Sequence, residues 1–130
     1  SLDGLGFAAR GRTRSAAAMR AAAKQDVAAA KLALRRELER LQRNRRLQAE
    51  LITLQTQALG DLEALLASYQ RQYETGTKSW LDLMNVQRER FEQRRQLVQA
   101  QNDWVIYSLV LQSRTGSLDQ LAAFSDPSDG

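Results

Sequence analysis

The residues best equipped for chemistry in this chain are its carboxylates. Asp82, Asn85, Glu89, Glu92, Gln96 and Asp103 recur at three-, four- and seven-residue spacing, which places them along one polar, mostly acidic face of a helix. Close pairs such as Asp61 with Glu63, or Glu89 with Glu92, have the right groups for hydrolysis or for a divalent cation. Pairs this common on exposed helices carry almost no weight. Histidine and cysteine are both absent, which removes the commonest general base, the thiol nucleophile and the usual zinc ligands. No glycine-rich loop suited to cradling a phosphate is present either. The chemistry therefore points away from an enzyme, with no catalytic residue, cofactor or metal site, and leaves the acidic face to meet either bulk water or the water of a lumen.

Basic residues are concentrated elsewhere. Residues 10–46 hold twelve Lys or Arg against three acids, a net of +9, whereas residues 47–130 hold seven bases against eleven acids, a net of −4. The run Arg35, Arg36, Arg40, Arg43, Arg45 and Arg46 has the charge to bind phosphates or an anionic surface, but no recognised nucleic-acid motif accompanies it. Solvation, or pairing with acids of neighbouring helices, is the better account of it, and no nucleic-acid partner is expected. Trp80, Trp104 and Tyr107 read as packing residues rather than stacking platforms.

These groups must be positioned by helices. The one proline is Pro127, and the seven glycines lie near the ends or at Gly11, Gly60, Gly76 and Gly116. Between them run long stretches of Ala, Leu, Gln, Glu and Arg, all strong helix formers, with few strand-favouring residues. The expected class is all-α. The expected segments are a glycine-rich leading stretch over residues 1–6, a helix over 7–73, a turn over 74–78, a returning helix over 79–114, and a polar tail over 115–130 with one possible short helix. Gly76 supplies the permissive backbone for the first helix to stop, and Ser79 with Asp82 three residues on resembles a capping box. No window approaches the ~18 apolar residues of a membrane-spanning helix. The start at Ser1, without a charged-then-apolar leader, reads as an excised or processed piece.

The apolar residues repeat every seven positions. In the first helix Ile52, Leu59, Leu66 and Tyr73 form one row and Leu51, Ala58 and Leu65 another; in the second, Met84, Phe91, Val98 and Val105 form one, and Leu83, Leu97, Trp104 and Leu111 another, broken by Arg90. Such a period implies a left-handed supercoil, and two rows per helix imply a broad seam or contacts with neighbours on both sides. At ~1.5 Å rise per residue the helices would be about 100 Å and about 54 Å long, so they cannot cover each other. Residues 7 to about 41, alanine-rich at 16–18, 21–23 and 28–30, would lack a partner. A helix of that kind does not stand alone in water, so its neighbours must come from outside this stretch of chain.

The turn carries a more specific signal. Tyr73-Glu74-Thr75-Gly76-Thr77-Lys78-Ser79-Trp80-Leu81-Asp82-Leu83-Met84-Asn85 resembles the hairpin-tip signature of the TolC-like outer-membrane efflux and secretion proteins, Tyr-x-x-Gly-x-x-Ser/Thr-x-x-Asp-(apolar)2-Asp/Asn. Leu2-Asp3-Gly4-Leu5 is similar to that family's run where a barrel strand hands over to the long helix. Gln99-Ala100-Gln101-Asn102-Asp103-Trp104, followed by Leu109, Leu111 and Gly116-Ser117-Leu118, is similar to its returning helix. The resemblance covers nearly the whole chain, in order.

The resemblance implies a long antiparallel helical hairpin with unequal helices, the second of two in a subunit, whose homotrimer forms a 12-helix α-barrel continuous with an outer-membrane β-barrel. It implies a periplasmic position for this segment in a Gram-negative envelope, a periplasmic adaptor (membrane fusion protein) and an inner-membrane transporter as partners, and exported cargo. It also implies a tip latch involving Tyr73, Gly76 and Lys78, and a lumen-facing constriction at Asp82 and Asn85. Lysine at position 78, where the family often has arginine, keeps the charge but loses bidentate geometry. With Asn85 in place of a second carboxylate, only one charged ring would form, and like charges gathered there would raise the Asp82 pKa. Lys78-Ser79-Trp80-Leu81-Asp82 with Asn85-x-Gln87-Arg88-Glu89 looks most like the members serving type I secretion of large proteins, particularly adhesins. The alternatives are the coiled-coil hairpin of a periplasmic adaptor, whose two helices tend to be of similar length, and a basic coiled-coil interaction module.

Overall fold

The computed structural model describes residues 2–124 and is all-helical over them apart from one short turn. Helix α1 spans Leu2–Glu74, 73 residues, and helix α2 spans Trp80–Phe124, 45 residues. No strand occurs among the described residues. The helices run antiparallel across residues 75–79, and their unequal lengths are unlike a symmetric adaptor hairpin.

Two boundaries differ from the sequence expectation. α1 begins at Leu2, so residues 2–6 are helical rather than a separate leading stretch, and α2 runs through Gly116 to Phe124 instead of stopping at Arg114. The reason is that glycine costs a helix only about 1 kcal/mol and ends it only when it takes the left-handed conformation. Among the described residues Gly76 alone does so, with φ 81°. Residues 125–130 of the expected tail lie outside the described residues.

The chain divides into two compact units. In Arg40–Gln112, which holds the tip, the inward positions of α1 are Leu41, Arg45, Gln48, Ile52, Gln55, Leu59, Leu62, Leu66 and Tyr69, alternately three and four residues apart. On α2 Leu83, Val86, Arg90, Gln93, Leu97 and Ala100 follow the same rhythm, and Tyr107 and Leu111 resume it beyond Trp104, which the expected row included but which is 38% exposed. This is the a/d pattern of a left-handed two-helix seam. Its best-covered positions are Leu41, Leu66, Val86, Ala100 and Leu111, with Ala100 only 2% exposed. One of the two expected α1 rows, that of Ile52, Leu59 and Leu66, points into the seam; Tyr73 at its end does not. One α2 row, that of Leu83, Leu97 and Leu111, also points inward. In the other, Phe91, Val98 and Val105 are exposed, Phe91 at 70%, while Met84 is half-buried.

The second unit comprises Ser1–Glu39 and Ser113–Gly130. Its α1 portion is exposed at every position from 3 to 26, half-buried at Val27, Lys31, Leu34 and Glu37, and buried at Leu38. The uncovered stretch of α1 thus ends well before Leu41, because α2 is longer than its glycine suggested. What remains open is the alanine-rich part, which offers little apolar area of its own.

Candidate functional site: the tip and the open seam

The tip is built by two interlocking devices. At the end of α1, the Thr77 N–H donates to the Gln72 carbonyl at 2.8 Å and the Gly76 N–H to the Tyr73 carbonyl at 3.0 Å, a Schellman stop whose left-handed residue is Gly76. The Lys78 N–H adds a further bond to the Gln72 carbonyl at 3.2 Å. At the start of α2, the Asp82 N–H donates to Ser79 Oγ at 3.2 Å, while the Ser79 N–H and hydroxyl both donate to Asp82 Oδ2 at 3.0 and 2.9 Å. This is a capping box with aspartate in the usual glutamate position. Five residues therefore reverse the chain with most of their polar groups engaged locally, and Thr75 and Thr77 also share a hydroxyl contact of 3.2 Å.

The cap sets the electrostatics of Asp82. Its carboxyl is held below its ordinary value of 3.8, chiefly by the backbone hydrogen bond from Ser79, then by the Ser79 hydroxyl, with the charge of Lys78 adding less. In the single chain the direction is thus opposite to the rise expected for a ring of like charges.

The residues expected to form a latch do not meet one another as side chains within one chain. Tyr73 is 44% exposed, and it joins Gly76 only through its carbonyl. Lys78 turns instead toward Tyr69, its Nζ standing 4.6 Å from the centre of that ring, a cation–π contact that no motif singled out. The available signal was positional: Tyr69 lies one helical turn before Tyr73. Asn85 is exposed one turn beyond Asp82. Trp80 and Leu81, each 61% exposed, give the tip an apolar surface beside these polar groups.

Away from the tip the candidate carboxylates are drawn into separate pairs. Glu92 accepts two bonds from Arg95 at 3.0 and 2.6 Å and one from Gln96, which together pull its pKa down to about 2. Glu63 takes Arg94 of α2 at 3.1 Å, and Asp103 takes Gln99 at 3.0 Å. Of the basic run, Arg45 and Arg46 line a cleft of about 540 Å³ with Gln42, Ala49 and Trp104. No helix among the described residues is long and apolar enough to cross a membrane.

The hairpin thus has a tip locked by its own backbone, and a returning helix on which Phe91, Val98 and Val105 remain exposed. Comparison with known families agrees with the tip motif: the profile of the outer membrane efflux protein family matches residues 5–117. The chain belongs to that family. No curated protein and no solved structure matches it.

Proposed function

We propose that this chain is the second periplasmic hairpin of an outer-membrane efflux channel subunit, and that three subunits place six such hairpins side by side as a tubular conduit. The observation that carries the reading is the open row of α2. Phe91, Val98 and Val105, continuing the seven-residue row of half-buried Met84, lie exposed on a face that the chain's own α1 does not cover, which is what a stave needs to meet the next stave. The uncovered alanine-rich part of α1 is suited to the same purpose, because small side chains permit close helix approach.

In this reading Tyr73, Gly76 and Lys78 form a moving iris at the narrow end, and Asp82 with Asn85 line the constriction behind it. A periplasmic adaptor separates the tips and an inner-membrane transporter supplies the energy. The sequence Lys78-Ser79-Trp80-Leu81-Asp82 favours the type I secretion branch, with a protein such as an adhesin as cargo rather than a small molecule.

The test is cysteine crosslinking in the full-length parent protein in cells, pairing a cysteine at Lys78 with one at the adjacent hairpin tip. Crosslinked trimers that stop export are the expected result. A parent protein found outside the envelope, with no tip crosslink, would remove the channel reading and leave a generic coiled-coil module.

A further inference from the structure

The two-helix seam is interrupted at one level from both sides. On α1 the inward position after Leu41 is Arg45, a half-buried charged residue where the rhythm of the seam asks for an apolar one. On α2 the rhythm passes from Ala100 to Tyr107, and Trp104, which shares the seven-residue row of Leu97 and Leu111, stays 38% exposed. These two residues do not close the space between the helices. They line an open cleft of about 540 Å³, together with Gln42, Arg46 and Ala49.

The chemistry of this cleft is one-sided. Arg45 and Arg46 stay charged at any ordinary pH and present planar forks of N–H donors. Among the described residues neither guanidinium has an ion pair, a hydrogen bond or a ring contact. The acids nearest along the two helices do not answer them. Asp103 accepts from Gln99 and lines a different cavity with Gln48 and Leu51, and Glu50, one turn beyond Arg46, pairs with neither arginine. No carboxylate lines the cleft itself. Trp104 adds an indole N–H, again a donor, beside an apolar ring face.

The surroundings narrow the ligand. Residues 10–46 carry a net charge of +9, so the local field draws anions toward this part of α1. A phosphate would satisfy the guanidinium groups but brings no apolar surface. Apolar surface is present here in quantity, because the seven-residue row adjoining that of Trp104 holds Val98 and Val105, 53% and 48% exposed. A polypeptide with Asp or Glu beside apolar residues matches both features, since carboxylates accept paired hydrogen bonds from arginine.

We infer that the Arg45–Arg46–Trp104 cleft is a docking site for an acidic polypeptide segment, which places carboxylates on the two guanidinium groups and an apolar side chain against the indole. The inference concerns the hairpin alone and stands whether or not the channel reading does.

The test uses Trp104 as its own reporter. Trp80→Phe removes the other of the two tryptophans, so that emission reads the cleft. The chain with that change is titrated at moderate salt with a short helical peptide of Glu, Leu and Ala, with the same peptide carrying Gln for Glu, and with single-stranded DNA. The Glu peptide should shift the emission and saturate, and the Gln peptide should not. Arg45→Gln/Arg46→Gln should weaken binding about tenfold or more, as the loss of charge-assisted hydrogen bonds does. Arg35→Gln/Arg36→Gln, which removes the same charge from exposed positions elsewhere on α1, should change it by less than about threefold. If the Arg45/Arg46 variant loses helix content by circular dichroism, Arg46→Gln alone, at an exposed position, should still weaken binding about threefold or more. Three results overturn the inference: equal weakening by the two arginine pairs, which leaves only diffuse charge; emission that the Glu peptide does not shift; or DNA shifting the emission at an equal or lower concentration, which makes the cleft a phosphate site.

Discussion

Ser79 and Asp82 hold each other across the first turn of α2: the Asp82 amide donates to the serine oxygen, and the serine amide and hydroxyl both donate to one aspartate oxygen. The residue expected to line a constriction is therefore also the one that starts the helix. Removing the serine hydroxyl by Ser79→Ala should cost about 1 kcal/mol of stability, the usual worth of an N-cap. Thermal unfolding by circular dichroism checks this, and an unchanged midpoint would show that the cap contributes nothing.

The pH dependence of this cap has a definite sign. The folded pKa of Asp82 is depressed, so its contribution is fully present above the unfolded carboxyl value and is lost as pH falls through the lower folded value. Acid titration of stability should therefore show a loss beginning below about pH 4, absent in Asp82→Asn. In the full-length parent, Asp82→Asn should weaken block of conductance by multivalent cations at neutral pH, where the native carboxylate is charged. Unchanged block in single-channel recordings would remove Asp82 from the pore lining.

Glycines in this chain should respond with opposite signs to the same substitution. An added Cβ meets nothing within 4 Å at Gly60, Gly76 or Gly116, so backbone conformation alone decides. Gly76→Ala should destabilise by about 1 kcal/mol because φ is positive there, whereas Gly116→Ala and Gly60→Ala, in regular helix, should stabilise by roughly 0.5–1 kcal/mol each. Urea titrations of the three variants provide the comparison.

The seam should be sensitive in both directions of size. Leu66→Ala, at 4% exposure, should cost about 3 kcal/mol through lost burial and the cavity left behind. Ala100→Leu should cost about 1–3 kcal/mol because a position only 2% exposed has no open side on which to place the larger side chain. By contrast, Glu63→Gln, which removes only the solvated pair with Arg94, should shift stability by less than about 1 kcal/mol, with that small effect fading at high salt. Chemical denaturation of the three variants at low and high salt makes the comparison.

Much of this architecture was legible in the sequence because it is local. The Gly76 stop and the Ser79–Asp82 box depend on residues three to five apart, and the seven-residue rows follow from helix geometry. The helix ends at Gly6 and Gly116 were misread because a glycine's identity does not disclose its φ. Which α2 row turns inward was not singled out in the sequence because both rows repeat every seven residues, and a contact such as Gln93 with Gln55 joins residues 38 apart. The Lys78–Tyr69 contact escaped because it joins a turn residue to the preceding helix through side-chain reach, and the placing of Tyr69 one helical turn before Tyr73 was its one positional hint.

A helix that is apolar on two faces and covered on one advertises whether its chain has found company. The row through Phe91 and Val98 is the kind of surface that holdase chaperones bind and that invites proteolysis, and in the proposed conduit the next stave covers it. Surplus copies should accordingly be short-lived, so that the amount of this protein in a cell is metered by the supply of its neighbours rather than by its own folding.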